Sequence, residues 1–378
     1  MMNVYARRTI AACLLFVLFD AGVGLSQPQI VPRLTERELD QASYVELARE
    51  WKEYIAKHGE SPVALVNLGM AYEYAGEVEA AYIAGKRAVE IAPEDAAALA
   101  FLGKILSKYK HDTERATELL ERCRGIAPDH EHGLKTLVVI YNSRGELAKS
   151  EEVLKTIFRQ RVIPRPLEDY AYNMLVGLPQ GAVLITNGDN DTFPPLALQA
   201  GMGFRSDVAV VNRHLLNVND YVEALFERYP SVKPGGRIEA EDDLSLSSTL
   251  LKRMIDEQKA PVYFAASVDF GDLGFSPELV TEGMNLRASG KGLTPEESAR
   301  LFLEKYRLDS ATDWSFSWDL VPGHSRLLAN YISCVYNLAN QEGVSADTMR
   351  LLLDKALDIT EFHEMDRLSY VIKSLQKK

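Results

Sequence analysis

The spacing of apolar residues changes once along the chain, near residue 164, and the change divides the sequence into two regions. Between residues 62 and 160, apolar and small residues recur every three or four positions, which is the spacing of one face of an α-helix. After residue 164 the apolar residues form short continuous runs, the clearest being 182–186, 208–212 and 261–267. Such runs, separated by helical patterns, are typical of buried strands in a parallel sheet. The sequence therefore predicts a helical region followed by an α/β region.

The helical region contains an internal repeat. The stretch SPVALVNLGMAYEYAGEVEAAYIAGKRAVEIAPE carries a regular series of large, small and turn-forming residues, namely Leu65, Leu68, Gly69, Tyr72, Gly76, Ala81, Ala88 and Pro93. This series resembles the tetratricopeptide repeat. Gly69 and Ala81 are small at points where two antiparallel helices approach each other closely. A second unit ends at Pro128, 35 residues after Pro93, and a weaker third unit ends late, at Pro164.

This resemblance implies a stack of helical hairpins over residues 40–162, with a lone amphipathic helix before the first repeat. Three repeats are about the minimum for a stable stack. Because such stacks expose a concave face, we expect that face to bind a protein or a peptide. The alternative is a spacer that packs on the next domain. Cys123 falls at a packing position, which favours a structural thiol, and whether it meets Cys334 stays open.

Residues 167–325 are predicted to form an α/β domain. The predicted helices cover residues 167–176, 195–203, 219–229 and 245–258 and alternate with the three apolar runs. Right-handed crossovers between parallel strands then favour a three-layer α/β sandwich with a mostly parallel sheet. Residues 326–378 are predicted to be C-terminal helices that close in a hairpin. Trp314, Phe316 and Trp318 are expected to cover a domain edge, the alternative being a platform for a sugar ring.

Polar side chains follow the predicted strands. In an open parallel sheet, ligands bind beyond the carboxyl ends of the strands. We therefore expect a ligand-binding rim that contains Asn187, Asp189, Asn190, Asp191, Thr192, Asn212, His214, Asn217 and Arg326. Within it, we expect Asp191 to cap the next helix and Asp189, which follows Gly188, to face a ligand. The alternative is that these residues only cap helices and build turns.

The acidic turn also predicts a metal site. Spaced carboxylates such as Asp189 and Asp191 can hold Mg²⁺ or Mn²⁺ against a phosphate, as in nucleotide-sugar glycosyltransferases. A metal-assisted enzyme, or a sugar- or nucleotide-sugar-binding protein, is therefore the alternative to a scaffold function. The catalytic constellation is incomplete, because His214 is the only histidine on the predicted rim. The sequence favours binding over catalysis and leaves enzyme activity undecided.

A second resemblance covers most of residues 167–360. The stretch DYAYNMLVGLPQGAVLITNGDNDTFPPLALQAGMGFRSDVAVVNRHLLN, with the later APVYFAASV and LVTEGMNLRAS, is similar to the soluble C-terminal region of multi-spanning membrane proteins related to protein O-mannosyltransferases. The chain departs from that family at Pro195-Leu196-Ala197 and at His214. The membrane-embedded half, where sugar transfer is expected, does not appear in this sequence. The resemblance therefore implies an accessory domain of a glycan-related system, without implying catalysis.

The net charge and the N-terminal residues restrict the possible partners and the cellular location of the protein. The net charge of -12 and the lack of Lys and Arg clusters argue against a nucleic-acid partner. Arg7 and Arg8 precede an apolar run over residues 10–19, which predicts an export signal over residues 1–26 that is cleaved, with an uncleaved tether as the alternative. No later stretch is apolar enough to span a membrane. We therefore expect an exported, periplasmic or secreted scaffold protein in a cell-envelope or glycan-related system.

Overall fold

The computed structural model describes residues 27–32, 39–241, 243–313 and 324–376, apart from the side chains of Asp189 and of residues 324–326. The predicted export signal of residues 1–26 and the aromatic residues Trp314, Phe316 and Trp318 lie outside the described residues. Over the described ranges the chain is mostly helical and contains one small mixed sheet. None of the helices in those ranges combines the length and the apolarity that crossing a membrane requires.

The first half of the described chain is a series of helices in which each contacts the next. They are α1 (Gln41–His58), α2 (Pro62–Ala75), α3 (Val78–Ile91), α4 (Ala96–Ile105), α5 (Thr113–Ile126), α6 (Glu131–Ser143) and α7 (Leu147–Arg159). Side chains cap several of their starts; Ser61, for example, accepts a hydrogen bond from Ala64 N. Gly76, at φ +90°, ends α2 in the left-handed conformation that favours glycine. The helical hairpins predicted from the repeat are therefore present.

A π-helical turn at Leu106–Lys110 extends α4. The repeat containing it spans 35 residues from proline to proline, one more than the usual length of about 34. A π turn holds one more residue than an α turn, so it absorbs the extra residue within the helix. The following α5 can then pack in place, with Leu120 against Gly103, where an added Cβ would lie 2.7 Å from Leu120 Cγ.

After five linking residues, 160–164, helices begin to alternate with strands. The chain forms α8 (Arg165–Val176), β1 (Val183–Thr186), α9 (Asp189–Met202), β2 (Ala209–Asn212), α10 (Asn219–Arg228), α11 (Leu246–Glu257) and β3 (Val262–Ala265). Strands β2, β1 and β3 are adjacent and parallel, with Val183 opposite both Ala209 and Val262. All four residues of β1 are buried, which explains why the sequence shows an unbroken apolar run there.

Two details of this region differ from the sequence-based expectation. Helix α9 begins at Asp189, six residues before the expected start at Pro195, so both prolines lie inside it. Pro194 and Pro195 are the sixth and seventh residues of the helix, so each leaves one i→i−4 hydrogen bond unmade near its start. The sheet also continues as an antiparallel pair, β4 (Val280–Glu282) and β5 (Asn285–Arg287), giving the order β2-β1-β3-β5-β4. The sheet is therefore mixed. The sequence did not predict the antiparallel pair because strands of three residues are too short to show an apolar pattern.

Five further helices follow the sheet within the described residues: α12 (Pro295–Glu304), α13 (Asp309–Thr312), α14 (His324–Ala339), α15 (Ala346–Phe362) and α16 (Asp366–Leu375). Helices α15 and α16 contact each other as the predicted closing hairpin, and α12 packs against α15. The thiols of Cys123 and Cys334 are both buried and free. Burial raises the pKa of the Cys123 thiol to about 11, so it stays protonated at neutral pH, as expected for a structural thiol.

The apolar core is divided unevenly along the chain. One cluster runs from Leu99 through the later repeats and the sheet to Ile372. Two smaller clusters lie between the first helices; one of them groups Val31 with α1 and α2. Helix α7 packs directly on α9, where Phe158 covers Gly201 so closely that an added Cβ would lie 2.3 Å from its ring. The later repeats and the sheet therefore share one core.

Candidate functional site

The acidic turn after β1 is held by Asp191. Its Oδ1 accepts a hydrogen bond from Gly188 N at 2.7 Å, and its Oδ2 accepts one from Asn187 N at 2.8 Å. Oδ2 also accepts a hydrogen bond from the Ser267 hydroxyl, which follows β3. The carboxylate is 2% exposed. Asp191 therefore caps the start of α9 and joins the carboxyl ends of two neighbouring strands.

Thr192 and Asn212 link the ends of β1 and β2. The hydroxyls of Thr186 and Thr192 lie 2.7 Å apart, and Thr186 Oγ1 donates to Val211 O at 3.2 Å. Asn212 Nδ2 donates to Thr192 Oγ1 at 3.2 Å. Thr192 and Asn212, two of the predicted rim residues, therefore lie together, and their polar atoms bond to each other and to Thr186.

Asn212 and Asn217 also organise the 3-10 turn at Arg213–Asn217. Asn212 Oδ1 accepts from His214 N at 3.0 Å, and Asn217 Oδ1 accepts from Ser247 N at 3.0 Å. The side chain of His214 is exposed. Of these predicted rim residues, the two asparagines are therefore used in part to fix the backbone after β2.

Asp272 belongs to this edge, although no sequence pattern singled it out. Arg213, 6% exposed, donates from Nη1 and Nη2 to the two oxygens of Asp272, each at 2.7 Å, and from Nη1 to Asp269 O at 2.6 Å. Hydrogen bonds from Arg213 lower the pKa of the Asp272 carboxyl. Since Arg213 follows β2 and Asp272 follows β3, the pair bridges the strands on either side of β1. The two residues are 59 positions apart in the sequence, so no local pattern links them.

Tyr170, on α8, approaches the same edge from the helical side. Its hydroxyl accepts a hydrogen bond from Asn330 Nδ2 at 2.7 Å. Burial raises the pKa of Tyr170 well above its ordinary value, and the negative charge of Asp191 raises it further. The bond joins α8 to α14, although the two residues are 160 positions apart in the sequence.

Four predicted rim residues lie at or near the starts of helices α9 and α14. Asn187 Oδ1 is buried and has no hydrogen-bond partner among the described residues. Asp189 and Arg326 lie at the starts of α9 and α14, and their side chains fall outside the description. Asn190 is half-buried in the first turn of α9. No group of three or more His, Cys, Asp or Glu side chains within the described ranges is arranged to hold a metal ion. The Mg²⁺ or Mn²⁺ site at Asp189 and Asp191 stays a prediction.

A second candidate site lies on the helical repeats. A cavity of about 320 Å³ opens between the first helices of successive hairpins, with Met70, Ala97, Ala100 and Phe101 among its lining residues. We call this cavity and the adjoining surface of α1 and α2 the repeat groove. Lys104 also lines it, and the Lys104 Nζ lies 2.6 Å from Glu73 Oε2, a carboxylate whose side chain is 1% exposed.

One side of the repeat groove is formed by the chain itself. Residues 27–32, QPQIVP, run without helix or strand along α1 and α2. Val31 N donates to Asn67 Oδ1 at 2.9 Å, and Trp51 Nε1 donates to Gln29 O at 3.0 Å. Val31 is 2% exposed, whereas Ile30, which also lines the cavity, is 66% exposed. The groove therefore already holds a stretch of polypeptide that belongs to no helix or strand.

Comparison with known proteins gives one family match, and it falls on the region that carries the rim. A family model described as TMEM260-associated domain 2 matches residues 167–234, from α8 to just beyond α10. No curated protein matches the sequence significantly. Among solved structures, MamA is 18% identical over 50% of this chain and 90% of its own, with a TM-score of 0.31. A tetratricopeptide repeat protein from Parabacteroides merdae is 10% identical over 84% of this chain and 94% of its own, with a TM-score of 0.33. Both TM-scores are low, and the repeat architecture is shown by the helical hairpins of this chain itself.

Proposed function

We propose that this chain is a protein-binding scaffold and that the repeat groove is its binding surface. The observation that carries the proposal is the cavity of about 320 Å³ with an apolar floor, open on the face of the repeats. An engineered cavity of about 150 Å³ holds one benzene molecule, so this volume suits roughly two apolar side chains. Apolar pockets that receive anchoring side chains are where binding energy concentrates in protein interfaces.

The rim supports a scaffold function better than catalysis. Asp191, Thr192, Asn212 and Arg213 all bond to other residues of the rim, and these bonds fix the strand ends. These four side chains therefore serve the fold, and the later repeats share one core with the sheet that they fix.

We propose that the protein is exported and acts in a cell-envelope or glycan-related system. The support is the predicted signal at residues 1–26 and the resemblance of residues 167–360 to proteins related to O-mannosyltransferases. The match to TMEM260-associated domain 2 supports a shared domain in that region. Under this proposal the groove presents or holds a protein, and the α/β region positions it.

Photo-crosslinking in the cells that make this protein tests the function. A benzophenone amino acid is placed at Ala97, which is exposed and lines the cavity, and in a second chain at Ile83, which is 61% exposed on α3 and does not line it. We expect a discrete cross-linked protein from position 97 that position 83 does not give, and mass spectrometry identifies it. Identical products from both positions, or none from position 97, would overturn the proposal.

A polar ligand at the rim is the second candidate function. The buried Asn187 Oδ1 without a partner among the described residues favours it, because buried acceptors are ordinarily hydrogen-bonded. The ligand would be a sugar or a nucleotide sugar, with or without Mg²⁺ or Mn²⁺ at Asp189 and Asp191. Titration of the protein with MnCl₂, alone and with a nucleoside diphosphate sugar, tests it. Heat of binding that Asp189→Asn abolishes supports this candidate, and no heat at millimolar concentrations removes it.

A further inference from the structure

The 27–32 segment contacts the repeat groove through groups that any polypeptide possesses. The donor to Asn67 Oδ1 is the backbone N–H of Val31, and the acceptor for Trp51 Nε1 is the backbone carbonyl of Gln29. Asn67 is 6% exposed and is held in place because its Nδ2 donates to Val63 O at 2.9 Å. The groove therefore offers a fixed acceptor and a fixed donor that recognise a backbone irrespective of its sequence.

Selectivity comes from one side chain. Val31 lies in the apolar cluster formed by α1 and α2, where Trp51, at 0% exposed, is among its neighbours. Its place suits a branched aliphatic residue, and an ionised side chain there would be buried without a partner. The other residues of the segment are at least partly exposed. The site thus recognises one aliphatic side chain in a segment whose backbone it holds by two hydrogen bonds.

Charge favours an uncharged occupant as well. The sequence QPQIVP has no ionisable side chain. Lys104, which lines the same cavity as Ile30, is already paired with the buried Glu73. An acidic occupant would have to compete with Glu73 for this cation, and a basic one would be repelled by it.

The segment also leaves the cavity unfilled. Ile30 reaches its wall but stays 66% exposed, while the floor of Met70, Ala100 and Phe101 faces the open volume. A peptide that kept the two backbone bonds and placed further apolar side chains in the cavity would bury more apolar surface than the segment does. The segment is covalently attached, which gives it a high effective concentration at the groove. Such a peptide replaces it when the additional apolar burial outweighs that advantage.

We propose that residues 27–32 are an internal ligand of the repeat groove, and that partner proteins replace them with an uncharged extended segment carrying an aliphatic residue at the place of Val31. This inference rests on the proposed scaffold function, because it names the chemistry of the partner and the contact that regulates access. The two backbone bonds and the place of Val31 are open to a partner only when the segment has left them.

The test uses a fluorescein-labelled peptide of sequence QPQIVP and the full chain. Fluorescence anisotropy measures its binding to the wild-type chain, to Val31→Asp and to Ile30→Asp. Val31→Asp places the new charge in the apolar cluster and releases the segment, whereas Ile30→Asp places the same charge on an exposed neighbour and leaves it bound. We expect Val31→Asp to bind the peptide at least tenfold more tightly than the other two. A labelled peptide with aspartate in place of valine should bind none of them.

Equal binding of the peptide to Val31→Asp and Ile30→Asp overturns the proposal, as does equal binding of the two peptides. If circular dichroism shows that Val31→Asp has lost helix, a chain with residues 27–32 replaced by alternating glycine and serine takes its place, and the same outcomes decide. Failure here together with a specific cross-link from position 97 rejects the internal ligand alone. Peptide binding without any such cross-link rejects the scaffold function and leaves a groove that serves only its own segment.

Discussion

Replacing Asp191 with alanine measures how far the acidic turn is structural. The change removes the acceptor for Asn187 N and Gly188 N and for the Ser267 hydroxyl. Loss of a helix cap costs about 1 kcal/mol. A hydrogen bond to a charged group contributes about 1.5–3 kcal/mol, and the lower value applies because Ser267 itself is exposed. We therefore expect Asp191→Ala to lower the free energy of unfolding by about 2.5 kcal/mol, or roughly 70-fold in the unfolding equilibrium.

Urea denaturation with an unchanged slope is the assay. Ser267→Ala serves as a partial variant and should cost about 1.5 kcal/mol. Because the bond between the two side chains needs both partners, the double variant should cost no more than Asp191→Ala alone. The sequence further predicts that Asp189→Asn leaves stability within about 0.5 kcal/mol of the wild type. Additive effects of Asp191→Ala and Ser267→Ala, or a loss below about 0.5 kcal/mol for Asp191→Ala, would refute this account of the turn.

Two further predictions concern packing and pH. Gly103→Ala should destabilise the chain by about 1–3 kcal/mol in urea, because its Cβ would lie 2.7 Å from the buried Leu120, whereas Gly125→Ala on α5 meets nothing within 4 Å and should stabilise by up to about 1 kcal/mol; the same sign for both would contradict the packing described. Hydrogen bonds from Arg205 hold the pKa of Asp207 at about 2, below the ordinary 3.8, so its stabilising contribution is complete above pH 3.8 and is lost as the pH falls towards 2. Asp207→Asn should therefore make stability less dependent on pH in that window, and an identical pH dependence in both proteins would count against it.

The helical repeats could be predicted because their signal is local. Gly69 and Gly103 mark close helix contacts by their size alone, and the residues that face the core recur within a few positions of each other. The three parallel strands were equally visible as apolar runs. By contrast, β4 and β5 have three residues each and contain the charged Glu282 and Arg287, so nothing in their pattern indicated strands. The arrangement of helices on both faces of the sheet stays a prediction.

The rim was predictable only in part, for a physical reason. The expectation that Asp191 caps α9 follows from its place relative to the helix start, and the structure places its carboxylate on the amides of Asn187 and Gly188. Its bond to Ser267, 76 residues away, depends on the order of the strands, which no local pattern contains. The pairing of Arg213 with Asp272 also depends on the order of the strands, so it could not be predicted either. Ligand binding by the nine predicted rim residues stays untested.

Because the core is divided unevenly, the later part of the chain unfolds more cooperatively than the first helices. From Leu99 onwards, apolar contacts run unbroken through the sheet to the last helix, so a disturbance anywhere in that part is shared by the whole of it. The helices around Val31 and Trp51 are sealed by their own small clusters, and can loosen at a lower free energy than global unfolding. Hydrogen exchange would then be fastest where the groove lies, and an occupant could enter or leave there while the strands that shape the rim stay closed.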